Sequence, residues 1–182
     1  LFTEYHTHSA HNYYPQRTVR DDRYKLIQNL MPDTVNPGYE FTRRKFFEEK
    51  REVVAAAPEP VRSAYELMEQ PPEFELYDLE TDPYEFSNLA ENEEHAEVLA
   101  RLQGELESWR DETSDPMRDP ENVSRLKSEI DACIDGVEAS KAKLNLTYPE
   151  YFFSTSAAIP KGNGKNVLFI AIDDLRPALG CY

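Results

Sequence analysis

Two adjacent aspartates, Asp173 and Asp174, close the run Val167-Leu-Phe-Ile-Ala-Ile172. A run that is apolar at every position is the pattern of a strand covered on both faces in a parallel sheet. In open α/β sheets, ligands bind beyond the carboxyl ends of such strands. Two carboxylates side by side repel each other unless a cation lies between them. A hard divalent ion with oxygen ligands, calcium or magnesium, is their natural partner. The plainer alternative is a solvated Asp-Asp turn. Near the other end of the chain, His6, His8 and His11 fall within EYHTHSAHNYY. On a strand His6 and His8 share one face and could hold a transition metal, the alternative being exposed histidines on an edge strand or loop. Arg17, Arg20, Arg23 and Lys25 form the basic concentration beside them.

These residues need elements to position them. Within 1–30, TVR and YKLI flank Asp21-Asp22-Arg23 as a hairpin. From 31 to 72 the chain is broken by Pro32, Pro37, Pro58, Pro60, Pro71 and Pro72, which predicts an insertion with one or two short helices, one within 41–56. Phe74, Leu76 and Leu79 fit a short strand ended by a Thr81-Asp82-Pro83 turn. Ala96, Leu99, Leu102, Leu106 and Trp109 recur as one stripe of a helix over 92–113, Trp109 packing into the core. A second helix starts at Pro120, with Val123, Leu126, Ile130, Ile134 and Val137 as its stripe. Residues 154–165 read as a linker.

Composition narrows the function classes. With 35 acidic against 20 basic residues among 182, the net charge is −15, which repels a phosphate backbone and excludes nucleic acid as a natural partner. A hydrophobic fraction of 40% allows a core. The longest apolar run, 167–172, is strand-length, so no membrane span is expected. Cys133 and Cys181 make neither a disulfide framework nor a zinc site. No basic or apolar leader opens the chain, and compartment is left open.

Two stretches resemble one family. NVLFIAIDDLRPALGCY, 166–182, resembles the first motif of the sulfatase family within the alkaline-phosphatase-like superfamily, closest in type to the iduronate-sulfatase branch. Residues 1–117 are similar to the C-terminal subdomain of sulfatases of the heparan N-sulfatase (sulfamidase) type, through YYPQRTVRDDRYKLIQNL, ELYDLETDPYEFSNLA and WRDETSDPM. The resemblance implies an α+β fold, a small four-stranded antiparallel sheet with the 92–113 helix on one face. It also implies one isolated strand, 166–182, belonging to an α/β core that is otherwise absent. The chain then divides into 1–117, a helical extension 118–153, the linker 154–165 and the incomplete catalytic segment 166–182.

By position, Asp173 and Asp174 inherit the role of calcium ligands. His6, His8 and Arg17 become candidate contacts at a substrate rim, able to meet a sulfated glycan through bidentate contacts from the arginine. Exposed histidines and a salt-bridged hairpin are the competing readings. The family's nucleophile, a Cys or Ser in Cys/Ser-x-Pro-x-Arg oxidised to formylglycine, has no counterpart here, since neither Cys133 nor Cys181 is followed by that pattern. No catalytic residue is assigned. The expected function is that of a partial sulfatase, hydrolysing sulfate esters or N-sulfates on glycans, inactive as this chain alone, and exported by family expectation. A non-catalytic α+β association module is the alternative. That the family's opening follows its ending favours a fragment or gene junction over a circular permutation or a short protein with another use for its tail.

Overall fold

The computed structural model describes residues 1–10, 12–32, 34–42, 51–137 and 142–147. Its frame is a four-stranded antiparallel sheet in the order β1-β2-β3-β4, formed by β1 (Phe2–Ser9), β2 (Asn12–Arg20), β3 (Tyr24–Asn29) and β4 (Phe74–Asp78). Asp21 makes the β2–β3 turn by accepting from the backbone N–H groups of Arg23 and Tyr24, the side-chain turn that short polar residues favour. The expected hairpin and the 74–78 strand are both present.

Register decides which residues share a face. Phe2 pairs with Val19, Val19 with Leu26 and Leu26 with Leu76, giving one apolar row across all four strands. Two residues along, Glu4 pairs with Arg17 and Arg17 with Gln28, a polar row on the same face that ends at Phe74 on β4. Helix α4 (Ala96–Glu112) covers this face, and its Leu102 and Leu106 close a core with Val19, Leu26 and Leu76. Trp109 stacks on Phe2, centroids 5.4 Å apart and planes within 3°. Full burial of such side chains contributes about 1.5–3 kcal/mol each.

The segment 79–90 ties β4 down with its polar side chains. Asn88 accepts from the backbone N–H of Leu76 and of Ala90 and donates to Phe74 O. Asp78 holds Arg23 through two hydrogen bonds, and Asp82 accepts from Ser87 N. The residues of ELYDLETDPYEFSNLA are thus scaffold.

Helix α5 (Pro120–Ile134) begins as expected, with Pro120 in its first turn and Asp119 capping the N–H of Glu121. Its Leu126 and Ile130 join Tyr13, Tyr14, Met31 and Met117 in a second core cluster. Val137 falls outside the expected stripe: α5 stops at Ile134 and Val137 is exposed. Among its described residues the proline-broken region holds short helices, as expected: α1 (Pro37–Thr42), α2 (Arg51–Ala55) and α3 (Val61–Glu69), while 43–50 of the expected 41–56 helix lies outside the described residues. Pro60 immediately precedes α3, where a missing N–H costs no helical hydrogen bond.

Candidate functional site: a buried charge cluster behind strand β1

The polar row of the sheet meets the end of α4. That helix finishes in a Schellman motif: Asp115 N donates to Arg110 O at 2.8 Å and Ser114 N to Asp111 O at 3.0 Å. Ser114 takes the left-handed conformation, φ 53°, that the motif requires. The chain thereby turns back beneath the helix and delivers the Asp115 carboxylate to two arginines.

Asp115 Oδ2 accepts from Arg17 Nε at 2.9 Å and from Arg110 Nε at 2.8 Å. Asp115 Oδ1 accepts from Arg17 Nη2 at 2.6 Å and from Met117 N at 3.0 Å. Four donors fill the acceptor sites of one carboxylate. Arg17 is fully buried, and its remaining recorded bond runs from Nη1 to Gln16 O. Arg110 bridges onward to Gln28 Oε1 at 2.7 Å.

The network reaches β1 through Glu4, whose Oε2 lies 3.8 Å from Arg17 Nη2 and 3.9 Å from His6 Nε2. Burial and the Arg17 cation push the His6 imidazole down to about 3, with Asp115 opposing, so the ring is neutral over the ordinary pH range. Burial raises the Glu4 carboxyl, partly offset by Arg17. For Asp115 burial also acts upward, but the hydrogen bonds and charge of Arg17, with those of Arg110 and Met117, outweigh it and hold the carboxyl below its usual range. The two carboxyls that flank Arg17 are therefore tuned in opposite directions.

The structure brings His6 and Arg17 into one cluster with Glu4 between them. His8 is exposed, two residues beyond the His6 side chain, which is 10% exposed; register shifts between Tyr5 and Thr7 and between Thr7 and Ser9 intervene. Among the described residues no three His, Cys, Asp or Glu side chains gather as a metal site. Asp173, Asp174 and Cys181 lie outside the described residues. Three of the four residues of the basic concentration are salt-bridged: Arg17 to Asp115, Arg23 to Asp78 and Lys25 to Glu85. Asp115 and Arg110 escaped the sequence analysis. Their signal was present in the spacing Leu102, Leu106, Arg110, which continues the buried stripe.

No family model matches the chain. An ulvan-active sulfatase of Formosa agariphila is 32% identical to it over 111 residues, covering 58% of this chain and 18% of that enzyme. N-sulphoglucosamine sulphohydrolase of Homo sapiens is 29% identical over 106 residues, 57% of this chain and 21% of that enzyme. The chain resembles sulfatases. It spans about a fifth of the length of these curated relatives. No helix among the described residues is long and apolar enough to cross a membrane.

Proposed function

We propose that this chain is part of a sulfatase that removes sulfate from sulfated glycans, its sheet and α4 serving as the scaffold of the substrate rim. The observation that carries the proposal is the likeness to two sulfatases by a chain whose described residues build a β-sheet backed by one long helix. In this reading residues 1–117 form the C-terminal subdomain, 118–153 a helical extension, 154–165 a linker and 166–182 the opening strand of a catalytic domain. His8 and His6 stand at the rim. Arg17 acts on it through Glu4, because its own guanidinium is committed to Asp115.

Asp173 and Asp174 would hold calcium, which supplies positive charge to the sulfate oxygens when bound. Paired carboxylates are the right donor chemistry for a hard ion but provide only part of its six to eight oxygen ligands. Cys133 does not fit a formylglycine precursor: it lies near the end of α5, accepts from Asn145 N and is followed by Ile134-Asp135-Gly136. No step is routed through such a group.

A graft tests the proposal. This chain by itself is expected to release no sulfate from ulvan. Put in place of the matched fifth of the ulvan-active sulfatase, residues 1–134 should raise sulfate release above that of the enzyme lacking that fifth. A folded graft no more active than the shortened enzyme would overturn the proposal and favour the association module. That alternative draws on the same salt bridges, which already occupy Arg17, Arg23 and Lys25.

A further inference from the structure

An open cleft of about 380 Å³ lies between the end of β3, the residues that follow it and the first half of α5. That volume falls within the range of small-ligand pockets. Its walls include Arg110, Arg118, Lys127, Gln28, Ser124 and one acid, Glu73, with Met31 and Met117 among its apolar lining.

Arg110 sets the chemistry. Its side chain is 5% exposed, Nε is spent on Asp115 and Nη1 on Gln28 and Glu107, while Nη2 has no partner among the described residues. That Nη2 is not sealed from solvent, so its N–H groups stay within reach of an acceptor in the cleft that Arg110 lines. Arg118 and Lys127, 41% and 40% exposed, stand on the same cleft and are paired with Asp111 and Asp131. Those pairings, and a net charge of −15, work against a doubly charged ligand. A singly charged, weakly hydrated oxyanion suits the cleft better, and Arg110 Nη2 can donate directly to it.

We propose that this cleft binds a singly charged oxyanion, the sulfate monoester of a sugar, with Arg110 Nη2 as donor and Arg118 and Lys127 at its sides. The oxyanion part stands on the cleft alone. The sugar part rests on the sulfated-glycan reading above. Nothing in the site requires His6 or His8.

Amide NMR titrations of the full 182-residue chain with glucose 6-sulfate, glucose 6-phosphate, inorganic sulfate and glucose test it. Saturable shifts at Gln28 to Met31 and Met117 to Lys127 are expected with the sugar sulfate, weaker ones with the phosphate and none with glucose. Ser124→Glu, at an exposed position on α5, should weaken sugar-sulfate binding at least tenfold with an unchanged circular dichroism spectrum. Arg110→Gln should do the same, and Ser124→Glu decides independently of the hold Arg110 has on Asp115. Inorganic sulfate, a dianion, binding as tightly as the sugar sulfate would overturn both the preference for a singly charged ligand and its sugar. Shifts confined to Glu4–His8 would overturn the cleft and spare the glycan reading. No saturable shift, or an equal one with glucose, overturns the proposal.

Discussion

The two rows that α4 covers differ in how they are held. Phe2, Val19, Leu26 and Leu76 meet Leu102 and Leu106, and their attraction is non-directional, so many side chains of similar volume would serve. One step along the same strands, Glu4, Arg17 and Gln28 meet Arg110 and Asp115. There each group must keep its partner, because a charge buried alone costs more than the pair contributes. The apolar row supplies stability that tolerates change. The charged row ties β1, β2 and β3 to the turn after α4 and fixes one geometry at the end of the sheet where His6 lies.

Breaking each row separates these accounts. Asp115→Ala strands two buried guanidinium groups and is expected to cost about 3–5 kcal/mol in urea unfolding at pH 7. Leu106→Ala, which removes bulk from the apolar row, is expected to cost about 2–5 kcal/mol by the same measurement. The difference between the rows lies in rescue. Leu106→Met should be tolerated within about 1.5 kcal/mol, as volume-conserving apolar exchanges are.

Acid should attack the charged row first. The His6 imidazole, held at about 3 against an ordinary 6.5, takes up its proton more readily in the unfolded chain. Its stabilising effect is complete above 6.5 and is lost as pH falls toward 3, on the order of 1 kcal/mol per pH unit. Glu4 works the other way: its raised carboxyl ionises more easily in the unfolded chain, so it favours folding as pH falls toward its ordinary 4.5. Asp115 adds a loss only below its ordinary 3.8. Urea midpoints at pH 7 and pH 5 should therefore diverge in the native chain and converge in His6→Gln. The smallest expected effect is a gain. Ser114→Gly relieves a left-handed residue at the Schellman turn and should stabilise by up to about 1 kcal/mol without moving Asp115.

Much of the frame was legible because its signals are local. The Asp21 turn, the stripe of α4 and the start of α5 at Pro120 each lie within a few residues of the cues that announce them. The charge cluster was not, because Arg17 and Asp115 are 98 positions apart and neither has a local cue for burial. Arginine in a β-hairpin reads as surface, and only the register that sets Arg17 opposite Glu4 and Gln28 turns it inward. The short helices described in the insertion were blurred for a different reason, since prolines mark where helices break without fixing where each one runs. The Asp173-Asp174 motif, the clearest chemical signal in the sequence, lies outside the described residues, and its metal is a proposal from donor chemistry and resemblance.

The central claim is that Arg17 and Asp115 form a structural ion cluster that positions the strand end. A double-mutant cycle of Arg17→Met, Asp115→Leu and the pair together, read by urea unfolding at pH 7, tests it most directly. Each single change should cost about 3 kcal/mol or more, and the double should fall short of their sum by at least about 2 kcal/mol. Single effects below about 1 kcal/mol that simply add would contradict the claim, and would return Arg17 to the solvent-facing rim as a side chain free to meet substrate.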